Sequence, residues 1–200
     1  MAKASWLNVT PASGSGDATV SVSSTAEHTG RSARSTTLTW TAANVADVVR
    51  NVSQAGKPEY VDIAESASSD KSGKTVTISG KSNSSKLTFS LGSGNLSINL
   101  PSSYTANSVS TSNGAAISGD PGASAEYNFS ISIVVPANGE TFAQTRQIIV
   151  EAADGKRDTC TLTLAAGDAY ITIAAGTIEL DYKGTAVSVA VESNTDWTIK

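Results

Sequence analysis

The 200-residue chain has one cysteine, one histidine, five prolines and only 16% charged residues. Each shortage excludes something. A lone cysteine makes no internal disulfide, so packing alone must hold the fold. Cys160 sits in the strand-like run Thr159-Cys160-Thr161-Leu162-Thr163-Leu164, flanked by no histidine or basic residue. It reads as a small buried hydrophobe rather than a reactive thiol. His28, in the turn Glu27-His28-Thr29-Gly30, has neither a nucleophile nor a carboxylate marked for it and reads as a solvent-facing turn residue. One histidine and one cysteine cannot build a His/Cys metal site. Asp62, Glu65 and Asp70, and the segment Gly119-Asp120-Pro121-Gly122, lack calcium-loop spacing and are explained by turn chemistry. No glycine-rich loop opens a helix to cradle a phosphate. The chain is expected to be non-enzymatic, with no catalytic, metal or cofactor residues.

Charge is equally sparse. The net charge of −4 argues against nucleic acid as a partner, because binding it requires a basic face that displaces counterions. The basic residues are scattered as Arg31 and Arg34, Lys71 and Lys74, Lys156 and Arg157, too few together for an anionic membrane. No apolar run is long enough to cross a bilayer, and Met1-Ala2-Lys3-Ala4-Ser5-Trp6-Leu7 has no export signal. Taken as a whole product, the protein is expected to be made and used without export.

What is present is alternation. Thr19-Val20-Ser21-Val22, Thr37-Leu38-Thr39-Trp40, Thr75-Val76-Thr77-Ile78, Phe129-Ser130-Ile131-Ser132-Ile133 and Val187-Ser188-Val189-Ala190-Val191 each set β-branched or aromatic residues against small polar ones. That period of two describes half-buried antiparallel strands. Clusters of Gly, Pro, Asn and Asp punctuate them around residues 11–17, 92–95, 113–122 and 154–156. The only helix-like stretch, residues 42–49, reads equally as a loop entering a strand. Short strands at regular spacing predict an all-β fold of immunoglobulin-like sandwiches.

An internal repeat sets the domain layout. Gly73-Lys74-Thr75-Val76-Thr77-Ile78-Ser79-Gly80-Lys81-Ser82-Asn83 matches Gly184-Thr185-Ala186-Val187-Ser188-Val189-Ala190-Val191-Glu192-Ser193-Asn194. Each leads into a short strand, Lys86-Leu87-Thr88-Phe89 or Asp196-Trp197-Thr198-Ile199. Residues 129–135, Asn138, 146–150 and 161–167 match 20–24, His28, 34–40 and 49–56. Residues 57–168 therefore read as one complete sandwich. Residues 1–56 carry only a second half and residues 169–200 only a first, so the two ends read as one split domain.

The split domain resembles the BACON family, immunoglobulin-like modules of Bacteroidetes and of crAss-like phages. The resemblance rests on Ser193-Asn194-Thr195-Asp196-Trp197-Thr198-Ile199, and on Ser5-Trp6-Leu7-Asn8-Val9-Thr10-Pro11, which in the family follows that segment after a short turn. Ser13-Gly14-Ser15-Gly16, Arg34-Ser35-Thr36-Thr37-Leu38 and the closing Val52-Ser53-Gln54-Ala55-Gly56 extend it. His28 stands where the family usually carries asparagine. The resemblance implies a sandwich fold, raises carbohydrate binding as a function, and implies that Trp6 and Trp197 are core residues.

Half a sandwich exposes an apolar face and unpaired edges, so its other half must be supplied. The C-terminal strands could close on the N-terminal segment of the same chain as a circular permutation, which the short linkers around residues 57 and 168 favour. They could instead complete a neighbouring chain, or the chain could start and stop mid-domain. In either of the first two cases Trp6, Val9, Val187, Val189, Val191, Trp197 and Ile199 form the joint. Trp40, in an alternating strand, reads as core, with glycan contact as the alternative.

Three functions remain. The first is a phage virion structural protein (auxiliary capsid, head-decoration or fibre-associated), made in the host cytoplasm and contacting other virion or capsid proteins. The second is a carbohydrate- or mucin-binding module at a bacterial cell surface. The third is a self-assembling filament subunit joined by strand exchange.

Overall fold

The computed structural model describes residues 3–174 and 176–200. Met1 and Ala2, part of the stretch read for an export signal, lie outside the described residues. The fold is all-β; among the described residues the one helical piece is a 3-10 turn at Pro121–Ala123. No helix among them is long and apolar enough to cross a membrane.

Among the described residues fifteen strands follow in chain order. The N-terminal four are β1 (Leu7–Thr10), β2 (Ser21–Ser24), β3 (Arg34–Ala42) and β4 (Val45–Gln54). The middle nine are β5 (Val61–Ile63), β6 (Ser66–Ser69), β7 (Lys74–Ser82), β8 (Leu87–Gly94), β9 (Ser103–Ala106), β10 (Val109–Ser112), β11 (Tyr127–Val135), β12 (Gln144–Ala152) and β13 (Arg157–Leu164). The last two are β14 (Ile171–Ile173) and β15 (Val191–Ser193).

The middle nine form a closed sandwich. One sheet runs β10-β9-β11-β7-β5 and the other β6-β13-β12-β8. The first strand pair divides between them, β5 antiparallel to β7 and β6 parallel to β13, an immunoglobulin-like arrangement. Alternation builds the core. Along β11, Tyr127, Phe129, Ile131, Ile133 and Val135 are buried while Asn128, Ser132 and Val134 face water. They meet Val76, Ile78, Leu87, Phe89, Ile148, Val150 and Leu162 from the other strands in one cluster. Phe89 packs between Tyr104 and Phe129, with ring centroids 5.0 and 5.9 Å away. Cys160 is buried in this core, and burial together with the charge of Asp158 pushes its thiol up to about 11.

The ends of the chain attach to opposite poles of this sandwich. β7 and β11 run antiparallel, with Ser82 opposite Tyr127 at one pole and Lys74 opposite Val135 at the other. Strand rise separates the poles by roughly 26 Å. At the first pole the backbone N–H groups of Arg31 and Ser32 donate to the carbonyls of Gly122 and Ala123 at 2.9 and 3.0 Å. The Arg31 guanidinium pairs with Asp120 and donates to the Asn83 carbonyl at 3.0 Å. A Cβ on Gly30 would lie 2.3 Å from the Ser124 carbonyl carbon, so only glycine permits this approach. At the second pole the Asn194 amide donates to the carbonyls of Gly139 and Asp168 at 2.8 and 2.9 Å, and Lys71 pairs with Asp168.

This placement corrects the expectation of closure within the chain. Residues 165–170 join β13 to β14 and reach at most about 21 Å when fully extended. They are held at the second pole by the hydrogen bonds just described. β1-β2, β3-β4 and β14-β15 are separate two-stranded sheets, and no ladder joins the N-terminal strands to the C-terminal ones among the described residues.

Two local expectations also change. Residues 42–49 form a hairpin turn and the start of β4, with Asn44 taking the left-handed backbone at φ 62°. His28 is 7% exposed rather than solvent-facing, and its Nε2 donates to the Ser32 carbonyl at 2.7 Å. It ties its loop internally, as Asn138 does in the middle domain by donating to the Phe142 and Ala165 carbonyls at 2.9 and 2.8 Å.

Candidate functional site

The two end segments reproduce, bond for bond, parts of the closed sandwich. In the middle domain Asn83 accepts from the Tyr60 N–H at 2.9 Å, and Ser82 Oγ donates to the Tyr60 carbonyl at 2.7 Å. At the C-terminal end Asn194 accepts from the Tyr170 N–H at 2.9 Å, and Ser193 Oγ donates to the Tyr170 carbonyl at 2.9 Å. Register follows: Val61, Asp62 and Ile63 face Ser82, Lys81 and Gly80, as Ile171, Thr172 and Ile173 face Ser193, Glu192 and Val191. The turn before β7 recurs too. The Asp70 carboxylate accepts from the Ser72 N–H and the Asp181 carboxylate from the Lys183 N–H, each at 3.0 Å. Gly73 and Gly184 close these turns at φ 71° and 70°. Hydrogen bonds hold both carboxylates below the usual range, from Ser72 on Asp70 and from Thr185 on Asp181.

The N-terminal end matches the second half of the sandwich. In β3-β4 Arg34 faces Gln54, Leu38 faces Arg50 and Trp40 faces Val48. In β12-β13 Gln144 faces Leu164, Ile148 faces Cys160 and Val150 faces Asp158. The Lys57 N–H donates to the Gly30 carbonyl at 2.8 Å, as the Gly167 N–H donates to the Glu140 carbonyl at 2.7 Å. The two junctions are themselves equivalent. Asn83 donates to the Thr29 carbonyl across one, at 3.2 Å, and Asn194 to the Gly139 carbonyl across the other.

Where the middle domain is closed, the ends are open. Leu38 and Trp40 correspond to Ile148 and Val150, which are completely buried, yet Trp40 is 40% exposed. With Val9, Ala18, Val20 and Leu38, and with the polar Lys3, Ser13, Thr39 and Thr41, it lines a groove of mixed character on the N-terminal half. Trp6 is half-buried at the side, under the Arg34 guanidinium 4.6 Å from its ring centroid. Arg34 is in turn fixed by Gln54 Oε1, which accepts from its Nε and Nη2 at 2.9 and 2.7 Å.

On the C-terminal half Val187 is 51% exposed, although its counterpart Val76 is buried, and Ile199 is 86% exposed where Phe89 is buried. Val189 and Trp197 are exposed as well, while Val191 is half-buried in β15 against Ile173. The residues expected to form the joint thus fall into two groups, Trp6 and Val9 at one pole and the other five at the opposite pole. Val22, Ile178 and Leu180, which are exposed, and Val20 and Leu38, half-buried and buried respectively, lie on the same segments and were not singled out from sequence. The signal was there, since each falls on an inward position once the repeat is aligned.

Chemically these faces offer apolar surface and strand edges. Among the described residues no three His, Cys, Asp or Glu side chains gather in metal-binding geometry. Two tyrosines near the first pole are strongly perturbed: burial, then its 2.6 Å hydrogen bond to Glu126, raises the Tyr60 hydroxyl far above the ordinary tyrosine value, and burial does the same to Tyr127.

No family model matches the chain, and no curated protein matches it. Among solved structures it is similar to an endo-fucoidan hydrolase from glycoside hydrolase family 107, with a TM-score of 0.32 and 10% identity. That likeness covers 82% of this chain and 22% of the enzyme's, and at this level it carries no argument about activity.

Proposed function

We propose that the protein is a non-enzymatic structural component of a virion, of the auxiliary capsid, head-decoration or fibre-associated kind, acting through protein–protein contacts. The observation that carries this reading is the pair of open half-sandwiches at opposite poles of a closed one. Apolar faces flanked by strand edges suit protein strands as partners, in keeping with a protein that acts through protein–protein contacts. The sparse charge, the Ser/Thr-rich strand faces and the resemblance to phage-borne BACON modules support the same reading. It assigns other virion or capsid proteins as partners, with no nucleic acid, membrane or cofactor.

Carbohydrate binding at a bacterial surface is the second reading, and the half-exposed indole of Trp40 is the observation in its favour. Trp40 also occupies the place of a core valine, which weighs toward protein contact. Mass spectrometry of gradient-purified particles tests the first reading. The protein is expected at a fixed copy number that survives a salt wash, and its absence from particles would refute the reading. Glycan binding abolished by Trp40→Ala in a folded protein would instead support the second.

A further inference from the structure

The closed middle sandwich is held in the chain by segments that leave it at opposite poles. We infer that it is a load-bearing unit, in which tension along the chain is carried in shear by the parallel pair β6-β13. The inference goes beyond the virion reading and rests only on residues 57–168.

Strand direction sets the geometry of the load. The chain enters at the first pole, where Val61 faces Ser82. It leaves at the second, where the Ala165 carbonyl just past β13 accepts from Asn138. β6 runs parallel to β13, with Ser66, Ala67, Ser68 and Ser69 facing Thr161, Leu162, Thr163 and Leu164. Tension therefore draws β6 back toward the first pole and β13 out through the second. Ladder hydrogen bonds run across the strands, so this load strains them together rather than one after another.

The clamp is longer than the four-residue ladder. The Thr161 N–H donates to the Glu65 carbonyl at 2.9 Å and the Ala165 N–H to the Ser69 carbonyl at 3.0 Å. Upstream, the Ile63 N–H donates to the Asp158 carboxylate at 2.8 Å. Residues 63–69 are thus tied to residues 158–165 along their whole length. Both sides are backed: β13 pairs with β12 from Arg157 to Leu164, and β5 pairs with β7. At the entrance Asn83 and Ser82 hold the Tyr60 backbone. The core opposes sliding as well. Ile63, Cys160, Leu162 and Leu164 are buried, and a slip of one residue would turn inward positions outward. Load on this path pulls strands along their lengths, not away from their neighbours by one end.

Single-molecule pulling on the full chain tests this with two placements of handles. Pro58→Cys with Asp168→Cys applies load from pole to pole. Ser72→Cys with Asp168→Cys applies it at the second pole, where β6 and β13 both end, and peels them apart. Cys160 is buried and takes no handle. Forced unfolding reads the barrier to unfolding, and at equal pulling speed the pole-to-pole rupture force is expected to be at least about twice the peeling force. Equal forces, or a larger peeling force, would overturn the inference. Ala165→Pro removes one donor from the clamp and should lower the pole-to-pole force by at least about one fifth. The peeling force should stay as it is, because there the bonds already break singly. An equal proportional loss in both geometries would mean general destabilisation and would also overturn the inference. The outcomes separate it from the virion reading. Particle-bound protein with equal forces would remove the clamp alone, and a strong clamp in a protein absent from particles would remove the virion reading alone.

Discussion

Replacing Asn83 by alanine tests the structural repeat in its closed setting. The side chain is completely buried and holds the first pole together. Its Oδ1 accepts from the Tyr60 N–H, and its amide donates to the carbonyls of Thr29, Lys57 and Pro58 at 3.2, 3.2 and 3.3 Å. Two amide protons shared among three acceptors, with one accepted bond, amount to about three hydrogen bonds. Each contributes about 1 kcal/mol net, and more where a buried partner is left unpaired. The loss is therefore about 3 kcal/mol, which lowers the melting midpoint of a domain this size by about 12 °C. Asn194→Ala removes the equivalent corner in its exposed setting, where water replaces the lost partners. It should shift the same midpoint by no more than about 2 °C. Calorimetry at a concentration where chains are monomeric reads both. A shift below about 3 °C for Asn83→Ala, or equal shifts for the two variants, would refute the assignment of these corners to a closed and an open copy of one motif.

Other consequences follow from the same packing. Cys160, buried with its thiol raised to about 11, should resist thiol reagents at pH 8 until the middle domain unfolds, so labelling rate reports that unfolding alone. A folded-state value above the ordinary 9.0 means that stability is full below pH 9 and falls as pH rises through about 11. The raised hydroxyls of Tyr60 and Tyr127 add to that fall above pH 10, and Cys160→Ala should flatten the part that begins at pH 9. Gly80→Val should destabilise the middle domain by about 3 kcal/mol through overpacking. Phe129→Ala should relieve only part of that cost, because the Asp62 backbone carbonyl also stands 2.3 Å from the added Cβ, as denaturant titration would show.

Much of this arrangement is legible in the sequence. Alternation at β7 and β11 identifies strands, and the Ser-Asn corners at Ser82-Asn83 and Ser193-Asn194 align the halves because each corner is a local hydrogen-bonding motif with its own residue signature. The buried Cys160 is legible for the same reason, being on the inward parity of β13. Direction in space is not legible. A repeat says which segments are equivalent but not that residues 55–60 and 165–170 leave the sandwich at opposite poles, and that geometry is what separates the ends. His28 was misplaced because its burial depends on the Ser32 carbonyl folding back over it, a contact with no compositional trace. Trp40 is ambiguous for a deeper reason, since its own strand fixes which way it points but not what, if anything, packs across from it.

The central claim is that the two end segments stand at opposite poles of the closed middle domain, and a disulfide tests it directly. A disulfide spans Cα atoms about 4.4–6.8 Å apart, far less than the roughly 26 Å between the poles. A chain carrying both Val20→Cys and Val189→Cys, oxidised in dilute solution and run on a denaturing gel without reductant, should give no internally crosslinked monomer. Native Cys160 should stay out of the reaction, since it is buried in the middle domain. A crosslinked monomer would mean that the two ends meet within one chain and would contradict this placement.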